Sequence, residues 1–185
     1  LIQSKKHKER RQKSNLSILP LKFLKSSYRK SKKNKGLNSV ILGLGMFWMI
    51  ASLLQMNLLV YCNAYLNLNT LETSVVWAIV IVGIALGCIL AGVINKQRVE
   101  LGISVLGTIG LAIFTSLIAF SEPSIKTFCV YLFFGAMSAG VFKVPLNSWM
   151  QERCSTRDLS NRLAYLNMII FIIVLLSSVI FALLT

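Results

Sequence analysis

The sequence predicts an all-α protein, a polytopic bundle of five transmembrane helices, on three observations. Five long stretches, 36–71, 73–95, 101–121, 127–151 and 163–185, hold a single charged residue between them, Lys143. The chain is 55% hydrophobic with mean hydropathy +0.68, yet its net charge is +14. That charge is also confined, because 13 of the 20 Lys and Arg fall within residues 5–35. About 20 apolar residues at 1.5 Å rise cross a bilayer core of ~30 Å, so every stretch is long enough. A soluble basic protein would spread its charge over its surface. This sequence instead divides into a basic arm, 1–35, and a helical block, 36–185.

In the arm, residues 3–15 are strongly polar and are expected to be disordered. Residues 16–28 place Leu16, Ile18, Leu19, Leu21, Phe23 and Leu24 among Lys22 and Lys25, with Pro20 inside. This reads as a short amphipathic helix on a membrane surface, with salt-sensitive affinity for anionic lipid. Five spans follow, at about 39–62, 74–95, 101–120, 127–150 and 163–185. Tyr61 and Tyr65, Trp77, Tyr131, Trp149 and Tyr165 stand near span ends, as in interfacial aromatic belts. The chain starts in a charged run without Met and stops in an apolar one, as a fragment would. No charged-then-apolar leader with a small-residue cleavage site is present, so a signal peptide is not expected.

Direction follows from charge. With the arm in the cytoplasm, the inner segments 1–35, 95–100 and 151–162 hold 18 Lys and Arg, and the outer segments hold only Lys126. The arm is therefore expected inside and Thr185 toward the outside. A basic arm also suits nucleic acid, but the same bias is what a cytoplasmic flank requires, and no nucleic-acid partner is expected. Gly83 and Gly87, Cys88 and Gly92, Gly135 and Ala139, and Ala136 and Gly140 are each four apart. That spacing lets helices approach closely in lipid, although Gly and Ala are common in membrane helices anyway.

Lys143 is the most unusual residue. A cation within a span costs at least about 2.5 kcal/mol unless it finds a partner or water. Ala139, Lys143, Asn147 and Gln151 recur every four residues and share a helix face. Pro145 is expected to interrupt that helix, as where a helix lines a cavity. Lys143 then either heads a polar stripe along a substrate path, attracting an anionic head group, or snorkels to the inner interface. Gln55 and Asn57, two apart, point in different directions, so one could face the path while the other makes an interhelical hydrogen bond. Arg98 and Glu100 stand in a short inner turn. Arg157, Asp158 and Arg162 stand in the second, with Asn167 just beyond it. These are candidate gate contacts, or the ordinary charges of inner loops.

Enzyme signatures are missing. The only histidine, His7, has Gln12 rather than an acid five residues on, and there is no G-x-S-x-G, P-loop or metal-ligand cluster. Cys62, Cys88, Cys129 and Cys154 form no C-x-x-C pair and are expected to be reduced and structural. No cofactor, metal or catalytic residue is expected.

Two blocks point to a family. The segment AGVINKQRVELGISVLGTIGL resembles the turn between the eighth and ninth helices of major facilitator superfamily transporters, as found in their lysophospholipid transporter branch. The match runs through Val99, Glu100, Leu101, Gly102, Leu106 and Gly107, with Val105 where proline is usual. Further on, GVFKVPLNSWMQER is similar to the same branch through Val144, Pro145, Leu146, Asn147 and Gln151. NRLAYLN is similar through Arg162, Ala164 and Asn167, with Asn161 in place of glycine. Lys143 stands where an apolar residue is usual.

The resemblance implies that the arm is the central cytoplasmic loop and the spans are helices seven to eleven of twelve, in the C-terminal half of the fold. It implies a bacterial inner (plasma) membrane location and flipping of lysophospholipids toward the inner leaflet for reacylation. The partners implied are the bilayer, a lysophospholipid-like substrate, the remaining transporter helices and a fused or separate acyltransferase. Other exporters or small-metabolite carriers of the superfamily, or the membrane region of a bifunctional acyltransferase, are the competing readings.

Overall fold

The computed structural model describes residues 27–29, 36–95, 101–121, 124–152 and 156–184, with side chains of the last segment described over 160–183. Every regular element among these residues is helical. After one helical turn at 27–29, the bundle comprises α1 (Leu37–Ala64), α2 (Thr70–Ile94), α3 (Gly102–Phe120), α4 (Ile125–Glu152) and α5 (Thr156–Leu184). All five are long and apolar enough to cross a membrane. The amphipathic segment and disordered tail expected in the arm lie outside the described residues, apart from that turn.

Three helices, α2, α4 and α5, overrun their apolar stretches at one or both ends. α2 begins at Thr70, four residues before the expected span, because Asn69 and Glu72 form a reciprocal capping box: the Glu72 amide donates to Asn69 Oδ1 at 3.0 Å, and the Asn69 amide to Glu72 Oε2 at 2.9 Å. The turn before it contains Asn67 at φ 49°, a left-handed position that asparagine tolerates. α5 begins at Thr156, well before residue 163. Pro145 does not interrupt α4, which continues through it for 28 residues. Proline removes one N–H, so only the Val141 carbonyl loses its helical donor. The neighbouring Phe142 carbonyl accepts from Ser104 Oγ of α3 at 3.2 Å.

Packing is built on glycine. Lipid tails are as apolar as leucine, so helices associate through close contact rather than water exclusion. On α2, Thr73, Val76, Gly83, Gly87 and Ala91 form the buried face. A Cβ on Gly83 would lie 2.7 Å from the Phe133 carbonyl, and one on Gly87 would collide with the Met137 backbone. Gly140 faces Ile84 and Cys88 of α2 reciprocally. On the other side of α4, Gly107 lies against Phe142 and Gly110 against Ser138. Thus α4 is gripped by α2 and α3. Of the four expected small-residue pairs, Cys88–Gly92 makes no joint contact, since Gly92 faces open space.

α1 pairs with α5 instead. Gly45 lies against Ile169 and Ile173, and Ser52 Oγ meets Ser177 Oγ at 2.5 Å in a buried contact. Such interhelical hydrogen bonds contribute on average about 0.6 kcal/mol in membrane bundles. The order of contacts sets direction. Gly36 meets Trp149, Trp48 meets Lys143 and Tyr61 meets Phe128, so α1 and α4 are antiparallel. α2 runs parallel to α4, and α5 parallel to α1. The five helices therefore alternate in direction, as five successive crossings must.

Two cores hold the ends. At the arm end, Leu37, Val40, Ile41, Leu44, Leu146, Met150, Tyr165 and Leu166 join α1, α4 and α5. At the far end Cys62, Val76 and Phe128 join α1, α2 and α4, with Ile118 of α3 against them. Tyr165 is 5% exposed in the first core, so it is a packing residue and not a belt residue. Leu71, Phe120, Phe171 and Leu183 are largely exposed, forming the outward apolar faces a bilayer would cover.

Candidate functional site

The chemistry concentrates between α1 and α4. Lys143 is half-buried, and its Nζ lies 4.6 Å from the centroid of the Trp48 ring of α1. That is within the ~6 Å reach of a cation–π contact, for which tryptophan is the strongest partner. Trp48 has an aromatic neighbour beside it. Phe47 meets it edge-on at 5.9 Å and stacks on Phe142 of α4 at 5.1 Å. Lys143 precedes Glu152 by nine residues, so its Cα is about 14 Å from that end of α4. The cation thus reaches across to a neighbouring helix at depth, and its partner among the described residues is an aromatic face.

Asn147 follows one turn on, half-buried, and Gln151 another turn on, exposed. Because α4 stays helical through Pro145, the stripe Lys143–Asn147–Gln151 is an unbroken row leading to the arm end. Gln55 and Asn57 are exposed on α1. Gln55 is seven residues beyond Trp48, about 10 Å farther along the axis. Among the described residues neither makes the interhelical hydrogen bond expected of one of them; from α1 that bond comes from Ser52.

Only part of the candidate gate falls within the described residues. Arg98 and Glu100 lie outside the described residues. Arg157 and Asp158 fall in the first turns of α5, with side chains outside the described set. Arg162 is half-buried and Asn167 exposed, farther along α5. Cys62, Cys88 and Cys129 are free thiols, and no cluster of three metal-binding side chains occurs among the described residues. Cys154 is outside them. A shallow apolar hollow on α3, lined by Ala112, Ile113, Ser116, Leu117 and Phe120, offers no charge and one hydroxyl.

Sequence reasoning missed Trp48, Phe47, Phe142 and the Ser52–Ser177 contact. One signal was present: Trp48 stands eleven residues into α1, far from the span ends where interfacial tryptophans gather.

Five apolar helices of alternating direction, with exposed hydrophobic outer faces and a lysine held between two of them, define an integral membrane protein. The profile of the Major Facilitator Superfamily matches residues 3–183. The chain belongs to that superfamily and is a membrane transporter of the major facilitator type. It has no match among curated proteins and none among solved structures.

Proposed function

We propose that this transporter moves lysophospholipid-like amphiphiles across a bacterial inner membrane by alternating access. The α1–α4 seam receives the head group, and helices outside this chain complete the path. One observation carries the reading: the Lys143 ammonium is held at depth, at the head of a polar row and between apolar helix faces. An amphiphile needs that combination, a charge for its phosphate and hydrocarbon surface for its chain. The similarity of the 91–111, 140–153 and 161–167 segments to the lysophospholipid branch supports the substrate class. The spans then correspond to helices seven to eleven. The chain itself performs no catalysis, and an acyltransferase, fused or separate, consumes the product.

Lys143→Ala is expected to lower uptake of an anionic lysolipid several-fold more than that of a zwitterionic one in a spheroplast flipping assay. Equal losses for both substrates, or none, would take Lys143 out of head-group binding. The departure of Lys143 from the branch's usual apolar residue favours one competing reading, a major facilitator carrier of another organic anion. Flipping of neither lysolipid would favour it.

The 18-to-one distribution of Lys and Arg supports a cytoplasmic position for the basic arm. Tags at Lys5 and Thr185 should report opposite compartments by protease protection; a shared compartment would refute the topology.

A further inference from the structure

The Lys143–Trp48 contact has a consequence for which head groups the seam refuses. A tryptophan face holds a cation within about 6 Å, and alkylammonium groups are cations that such faces recognise well. Here the face is occupied by the protein's own amine, at 4.6 Å. Phe47 lies edge-on to the ring and is itself stacked on Phe142. Trp48, Phe47 and Phe142 thus form an aromatic corner, and Lys143 fills it from the opposite helix.

We propose that Trp48 is a cation site kept filled by Lys143, so that the seam accepts anionic head groups and rejects alkylammonium ones. A tethered amine meets the ring at high effective concentration, so a free ammonium group must displace it. A displaced Lys143 would then repel the incomer by like charge. An anionic group faces neither obstacle, since it can pair with Nζ while the amine stays over the ring. The inference rests on the lysolipid reading only in taking the seam as the place where head groups arrive; the ring and the amine are there whatever the substrate.

Replacing Lys143 by a neutral chain of similar length removes the cation from the ring while keeping the bulk beside it. In the full chain in lipid nanodiscs, Lys143→Met is expected to bind dodecyltrimethylammonium on the order of tenfold more tightly than the unaltered protein. Its N-methyl proton resonances should move upfield through the ring current of the indole. Dodecyl phosphate should bind Lys143→Met more weakly. Lys143→Arg, which keeps a cation over the ring, should show no gain. Adding Trp48→Leu to Lys143→Met should abolish both the gain and the upfield shift. Lys143→Gln repeats the test should the methionine variant not assemble.

Absence of a gain on neutralising Lys143, or a gain that persists without Trp48, overturns the proposal. A gain that needs Trp48, in a protein that flips neither class of lysolipid, upholds the ring site and defeats the lysolipid reading. The two can therefore fail separately.

Discussion

Gly87→Ala is expected to be among the most damaging single-methyl additions in this bundle. The new Cβ would fall on the Met137 backbone, which cannot rotate aside as a side chain would. The only relief is for α2 to move away from α4, and that loosens Gly83 against Phe133 and Gly140 against Ile84 as well. Overpacking in a rigid interior costs roughly 1–3 kcal/mol, and backbone-on-backbone contact belongs at the upper end. In water, hydrophobic burial would partly restore the association. In lipid it does not, because the separated faces are solvated by acyl chains. The midpoint of denaturation in a mixed-micelle titration should fall clearly. Gly92→Ala, on the same helix but facing open space, should leave it unchanged or slightly raised. If the two variants behave alike, close approach at Gly87 is not what holds α2 to α4.

The second large effect is expected at the far end. Phe128 is 2% exposed, stands 5.2 Å from the Tyr61 ring and shares a core with Cys62 and Val76. Phe128→Ala removes the side chain that joins α1, α2 and α4 there. In water-soluble cores this substitution costs about 3–5 kcal/mol. Part of that is transfer from water, which is reduced where lipid is the alternative, leaving roughly 2 kcal/mol of lost packing. Cys62, fully buried beside it, provides a direct readout. Its labelling by a membrane-permeant maleimide should be negligible in the unaltered chain and rapid in Phe128→Ala. Unchanged labelling together with an unchanged denaturation midpoint would show that the far end is held by other contacts.

The spans were legible because charge is excluded from hydrocarbon so strongly that counting Lys and Arg finds each crossing. Helix ends were less so. A helix does not stop where lipid stops, and α5 runs from Thr156 through the polar turn before its apolar run. The early start of α2 was written in Asn69 and Glu72, a local signal that hydropathy overlooks. The glycines of α2 and α4 were identifiable by spacing, whereas which helix each would face was not. Gly92 has the same spacing and no neighbour.

Of the candidate site, Lys143 and its row were visible as an anomaly of composition. Trp48 was hidden because a tryptophan counts as one more apolar residue in a span, and its partner lies 95 positions away. Ser52 and Ser177 were hidden for the same reason, since a buried hydroxyl pair is a tertiary fact. Pro145 misled because the loss of one hydrogen bond is local, and a well-packed helix absorbs it.

α1 is held near its two ends by different cores, one around Leu37 and Leu44, the other around Cys62, and between them it is tied to α5 through Gly45 and Ser52. At its waist it meets α4 through bulky rings and a long amine, not through the glycine seams that weld α4 to its other companions. On that side α1 and α4 are spaced by side chains rather than by backbone contact, so rotamer changes alone can alter the gap between them.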